Sequence, residues 1–150
     1  MFNRILSFFR RSNHKKELNQ RWSILIIERD PLLLNFLEKT LIKEGYRVLL
    51  AADGKAGLQM AQTQKPSLIL LDYHLERPTG TEVCQQLKDW TATKDIPVVF
   101  LTTSTSSRSI LEYFDLEAEN YFPKPIKPRF LTSQVAQILD EYRQESSDSA

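Results

Sequence analysis

The apolar positions of this chain fall into short unbroken runs separated by stretches with helical spacing. The runs are Ile24–Ile27, Val48–Ala51, Leu68–Leu71, Val98–Leu101 and the short Asn120–Phe122. An apolar run without alternation predicts a strand covered on both faces, as in a parallel sheet. After the first run, Asp30-Pro31 reads as a helix N-cap followed by proline at the first helical position, where its missing N–H costs nothing. Leu33, Leu34, Leu37 and Leu41 then mark one helical face, and Gly45 ends it. Asp53-Gly54 opens a second helix with Leu58 and Ala61 inward, and Val83, Leu87 and Trp90 mark a third. Residues 102–108 are rich in Thr and Ser and read as a loop or cap region, after which Ile110, Leu111 and Phe114 suggest a short fourth helix. Leu131, Val135, Ile138 and Tyr142 give the fifth and clearest. Five strands alternating with five helices predict an open α/β fold with helices on both faces.

The 150 residues make one ordinary domain, expected over residues 22–143, with a polar tail at 144–150 that should fray. Residues 1–21 are compositionally apart. Six basic residues there face a single acidic one, Glu17, in a chain whose net charge is only +1, so the rest is mildly acidic. Phe2, Ile5, Leu6, Phe8 and Phe9 can form one side of a short helix ringed by Arg4, Arg10 and Arg11. Two readings stand for this segment: a poorly ordered extension or helix lying on the domain, and an amphipathic contact with a surface or partner through residues 1–16.

Near-balanced charge offers no whole-molecule argument for nucleic acid. The lone Cys84 excludes an internal disulfide and suits a reducing, cytoplasmic setting; it reads as a buried small hydrophobe. No run approaches the roughly 18 apolar residues of a membrane span. His14 and His74 have no zinc-type spacing around them, and Trp22 and Trp90 read as edge packing.

The chemistry gathers at strand ends. Asp72 closes the third run, Thr102 the fourth, and Lys124-Pro125 follows the fifth, while Glu28-Arg29-Asp30 closes the first. In an open α/β sheet, ligands sit outside the carboxyl ends of the strands. Asp72 there could accept a phosphoryl group as a nucleophile, giving an acyl phosphate. Glu28 could help hold a divalent cation, Thr102 could donate to a phosphoryl oxygen, and Lys124 could supply an ammonium. No GxxxxGK[ST] loop and no GxGxxG after the first strand is present, which argues against a P-loop or dinucleotide enzyme. A hydrolase reading is weak, because no second general acid or base stands at the site.

At these residues the chain resembles the bacterial response-regulator receiver domain over nearly all of 23–142. "SILIIERDPLLLNFLEKTL" resembles that family's first strand and helix, and "PSLILLDYHLERPTG" its phosphoacceptor strand and loop. "IPVVFLTT" resembles the strand ending in the switch threonine, and "AENYFPKPIK" the aromatic and lysine-proline signature. The resemblance implies a flavodoxin-like sheet of strand order 2-1-3-4-5. It also implies that Asp72 is the phosphoacceptor, Thr102 the switch hydroxyl, Tyr121 the switching aromatic and Lys124 the site lysine. Mg²⁺ would be held by Glu28, Asp72 and the backbone carbonyl of His74. A histidine kinase or phosphotransfer protein is the implied phosphodonor, with at most self-phosphorylation from small donors and slow autodephosphorylation as activity. Output would pass to a protein partner, or to a second copy, through the family's helix 4, strand 5 and helix 5, here residues 104–142. No helix-turn-helix follows Tyr142, so direct action on DNA is not expected.

The departures bear on the metal. The family's second acidic residue before the first helix is its direct metal ligand, and here that position is Arg29; Asp30 reads as the helix cap. Arg29 could pair with Asp72, mimicking a cation's charge without bridging carboxylate and phosphate as Mg²⁺ does. It could instead swing into solvent and leave a weak site. Glu76 stands where the family often has proline, Pro123 precedes Lys124, and the glycine the family often carries near Glu117 is missing. Two functions compete on these grounds: a stand-alone phosphorelay receiver, and a pseudo-receiver that binds partners constitutively.

Overall fold

The computed structural model describes residues 2–103 and 121–148. Five strands, β1 (Ser23–Ile27), β2 (Arg47–Ala51), β3 (Leu68–Asp72), β4 (Val98–Thr102) and β5 (Tyr121–Pro123), form one parallel sheet in the order β2-β1-β3-β4-β5. The helices are α1 (Phe2–Asn19), α2 (Pro31–Lys43), α3 (Gly54–Gln64), α4 (Gly80–Asp89) and α5 (Pro128–Asp148). The strand order and the helices between strands agree with the sequence expectation. The short helix and Ser/Thr-rich segment expected over residues 104–120 lie outside the described residues.

The apolar runs explain the layering. Every residue of β1, β3 and β4 is buried, and the period of two sends alternate side chains to opposite faces. Ile24, Ile26, Leu68, Leu70, Val99 and Leu101 pack under α2 and α5 with Leu37, Leu41, Leu131, Val135 and Leu139. Leu25, Ile27, Ile69, Leu71, Val98 and Phe100 pack on the other face with Leu58, Ala61, Val83, Cys84 and Leu87 of α3 and α4. Each central strand therefore supplies two cores at once, and apart from Ser23 at the start of β1 its positions are apolar until the strand ends. β5 lies at the sheet edge, where Pro123 lacks a donor that a central strand would need.

The caps fall close to expectation. Asp30 accepts from the Leu32 amide at 3.0 Å at the start of α2, Asp53 caps α3 through the Ala56 amide at 2.8 Å, and Thr79 caps α4 through the Glu82 amide. Gly45 follows α2 with φ +99°, a left-handed conformation that favours glycine. Two expectations need correction at the last helix. Its inner stripe is Leu131, Val135 and Leu139, with Ile138 and Tyr142 only half-buried. The helix also runs on through residues 144–148, past the boundary expected for it near Tyr142, with Ser146 and Ser147 hydroxyls donating to the Tyr142 and Arg143 carbonyls within it.

Gly80 ties the fold to the rim where the site lies. A Cβ on Gly80 would stand 2.5 Å from the Asp72 carbonyl oxygen and 2.7 Å from that of Tyr73. The start of α4 thus rests directly on the backbone at the end of β3, and no side chain fits between. Gly80→Ala should lower the unfolding free energy by about 1–3 kcal/mol, the usual penalty for overpacking, read as a lower urea midpoint with an unchanged denaturant slope.

Candidate functional site

Parallel pairing brings the strand ends level. Ile27 pairs with Leu71, Asp72 with Leu101, and Thr102 with Pro123. The backbone ladder then runs one step past the strands: the Glu28 amide donates to Ala51, the Tyr73 amide to Leu101 and the Lys124 amide to Thr102, all at 2.9–3.1 Å. These bonds fix the residues that carry the chemistry, so Glu28, Asp72, Thr102 and Lys124 share one rim. Glu28, Asp72 and Thr102 are each at most 1% exposed.

The Lys124 ammonium lies between two carboxylates. Its Nζ donates to Asp72 Oδ1 at 3.1 Å and stands 3.1 Å from Glu28 Oε2. Asp72 Oδ1 also accepts from the His74 amide at 2.9 Å, and Glu28 Oε1 accepts from the Asp30 amide at 3.1 Å. That leaves Asp72 Oδ2 and Glu28 Oε2 buried without a hydrogen bond; Glu28 Oε2 meets Lys124 as a close charge outside hydrogen-bonding geometry. Buried polar atoms are seldom left so, and two such oxygens beside one ammonium mark a place suited to a further cation or an electrophile. Burial, above all, raises the Glu28 pKa from its ordinary 4.5, with the nearby Asp72 charge adding to the rise; the Asp30 amide and Lys124 oppose it.

Arg29 does not join this group. Its Nη1 pairs with Glu76 Oε1 at 2.9 Å, and both side chains are exposed, at 52% and 81%. Of the two placements open to Arg29, the pair with Asp72 is absent and the side chain is turned to solvent. Bonding to Glu76 keeps the guanidinium in water, whereas reaching Asp72 would mean burying it beside an ammonium already in place. The two departures from the family pattern at this rim, Arg29 and Glu76, are each other's partners. Asp30 is the helix cap, as expected.

The donor set can accommodate a divalent cation. Glu28 and Asp72 supply two buried carboxylates, Asp72 Oδ2 without a hydrogen bond and Glu28 Oε2 facing the Lys124 charge, and Arg29 is turned away from them. No group of three acidic, His or Cys side chains suited to a metal exists among the described residues. His74, two residues past Asp72, carries the backbone carbonyl that the resemblance makes a ligand, and its ring Nε2 is 3.1 Å from Thr103 Oγ1. That contact, like the Arg29–Glu76 pair, joins residues distant in sequence and carries no spacing signal. Tyr121 is half-buried beside the α3/α4 core.

Residues 24–136 match the family model described as the response regulator receiver domain. The chain belongs to that family: it is a receiver domain of the kind found in two-component response regulators. It is 34% identical over 128 residues to the transcriptional regulatory protein AfsQ1 of Streptomyces coelicolor, covering 85% of this chain and 56% of that protein. It is 35% identical over 116 residues to the DNA-binding dual master transcriptional regulator RpaA of Synechocystis, covering 77% of this chain and 48% of that protein. The chain thus spans about half the length of these curated relatives. Among solved structures it resembles a CheY-like receiver domain protein from Methanospirillum hungatei, with a TM-score of 0.74 and 27% identity over 83% of this chain and 98% of that one. It also resembles the receiver domain of the sensor histidine kinase PA1611 from Pseudomonas aeruginosa, whose structure has a magnesium ion coordinated in the active site cleft. That likeness has a TM-score of 0.67 and 25% identity, covering 81% of this chain and 96% of the other.

The raised Glu28 pKa sets a pH dependence. A carboxyl whose folded pKa exceeds its unfolded value contributes stability that is full below about pH 4.5 and is lost as pH rises through the folded value. Glu28→Gln removes that loss. Urea denaturation across this range should show the variant gaining on the wild type as pH rises.

Proposed function

We propose that this receiver domain accepts a phosphoryl group on Asp72 from a histidine kinase or phosphotransfer protein. The observation that carries the reading is the asymmetry of the Asp72 carboxylate. Oδ1 is held by the His74 amide and Lys124, while Oδ2 is buried and uncommitted. One oxygen is thereby oriented and the other is free to attack. Oδ2 forms the new bond to phosphorus, and the bond from phosphorus to the donor's nitrogen or oxygen breaks, its electron pair leaving with the donor. Lys124, already at the carboxylate, can follow the negative charge onto a phosphoryl oxygen. Thr102, buried at the same rim, is placed to donate to another. Glu28, Asp72 and the His74 carbonyl would hold Mg²⁺, which supplies charge neutralisation between carboxylate and phosphoryl oxygens. Movement of Thr102 and Tyr121 toward the new group would then alter the surface formed by residues 104–142, for recognition by a downstream protein or a second copy.

A second reading, a pseudo-receiver that binds partners without phosphorylation, draws support from Lys124. Its ammonium spans both carboxylates and partly neutralises the site without a metal, and among the described residues no third carboxylate joins them to recover a divalent ion. Incubation with acetyl phosphate and millimolar Mg²⁺, followed by intact mass measurement, separates the two. One added phosphoryl group that Asp72→Asn abolishes is the expected result; no addition, or addition that survives the substitution, favours the scaffold.

Arg29→Asp puts a third carboxylate where the family has its metal ligand and also releases Glu76. Mg²⁺ affinity, followed by titration with beryllofluoride present, should rise by roughly tenfold or more, since ligand charge count tunes such sites over decades. An unchanged affinity would clear Arg29 of responsibility for a weak site.

A further inference from the structure

We infer that α1 is a docking helix for an anionic lipid surface, on which it lies without crossing. Polar and backbone contacts hold the carboxyl-terminal part of the helix to the domain. The Asn19 side-chain amide donates to the Glu44 carbonyl at 2.8 Å, Lys15 stands 3.5 Å from Glu44, and Gly45 lies against the Lys16 backbone with no room for a Cβ. Ile5, Leu6, Phe8 and Phe9 are 54%, 44%, 69% and 59% exposed, half of the exposed large hydrophobic residues among those described.

At about 100° per residue, Ile5, Leu6 and Phe9 fall within one arc of roughly 100°, Phe8 lies about 60° outside it beside Lys15, and Arg4, Arg11 and Lys15 lie on the side opposite the arc. Arg10 flanks the apolar arc, where its long stem can lie along apolar surface while the guanidinium reaches a headgroup. Among the described residues, Arg4, Arg10 and Arg11 enter no ion pair. An apolar stripe with unneutralised basic flanks matches a bilayer interface carrying negative headgroups. A second copy laid on the same stripe would bring like charges together without acidic partners, so lipid is the favoured occupant. No helix among the described residues is long and apolar enough to span a membrane.

The attachment also sets an orientation. Gly45 precedes β2 and α1 leads into β1, so the helix joins the rim where the strands begin. Asp72 and Thr102 stand at the rim where they end. A domain held by α1 keeps its acidic site on the far side of the sheet from that attachment, open to a partner protein. One amphipathic segment gives reversible rather than permanent attachment.

Cosedimentation of the full chain with phosphatidylcholine vesicles, with and without phosphatidylglycerol, tests this independently of phosphorylation. Binding should be strongest to the anionic vesicles and weaken as salt is raised. It should fall roughly tenfold or more on neutral vesicles, in the Leu6→Asp/Phe9→Asp variant, and in the Arg10→Glu/Arg11→Glu variant. All four positions are exposed, so an unchanged urea midpoint confirms that each variant is folded. Absence of binding to anionic vesicles overturns the proposal, as does equal binding by both folded variants. A concentration-dependent dimer in lipid-free buffer, lost in Leu6→Asp/Phe9→Asp, would overturn it in favour of self-association.

Discussion

One ammonium between two buried carboxylates organises the active rim. Lys124 reaches Asp72 and Glu28 at 3.1 Å each, and neither carboxylate is more than 1% exposed. Without that cation, two negative charges would share a pocket that water barely enters, at a cost of several kcal/mol. The arrangement needs three strands to end level, and the sheet provides this through ladder bonds that continue past Glu28, Asp72 and Thr102. The chemistry is therefore a consequence of register. A slip of one residue in β3 would turn Asp72 away and drive an apolar residue into its place.

The same constraint explains what could be read from residues alone. From Ile24 in β1, and throughout β3 and β4, the strands are apolar until the rim because each faces two cores, so a polar residue at the end of such a run stands out. That made Asp72, Thr102 and the Glu28 group visible, and Lys124 followed from the prolines around it. Strand order, by contrast, came through family likeness, since nothing in an apolar run states its neighbour. The stripe of α5 was displaced by one position because Ile138 and Leu139 are both apolar and spacing does not choose between them. Solvent-exposed pairs stayed hidden: Arg29 and Glu76 lie 47 residues apart, and neither burial nor periodicity links them.

Arg29 changes the competition for the site without closing it. An exposed ion pair such as Arg29–Glu76 is worth about 0–1 kcal/mol, too little to hold the arginine rigidly or to deform the rim. Its main effect is the carboxylate it displaces. With only Glu28 and Asp72 contributing side-chain charge, a divalent ion must draw on oxygens that Lys124 already attracts, and it must recover the cost of shedding its own water. Glu28 adds to that cost, since burial favours its protonated form and a metal must bind the ionised one.

If the site holds a metal as proposed, metal affinity and the strength of the lysine contact are opposed quantities in it. Anything that draws Lys124 toward an incoming phosphoryl oxygen frees Asp72 and Glu28 for the cation, and the cation in turn favours the phosphoryl group. Phosphodonor and metal should bind with mutual reinforcement, a reciprocity that any shared equilibrium imposes. Under the proposed function, a receiver lacking one acidic ligand would be nearly metal-free at rest and would gather the ion when a donor arrives. Arg29 reads on these terms as a residue that raises the threshold for loading the site.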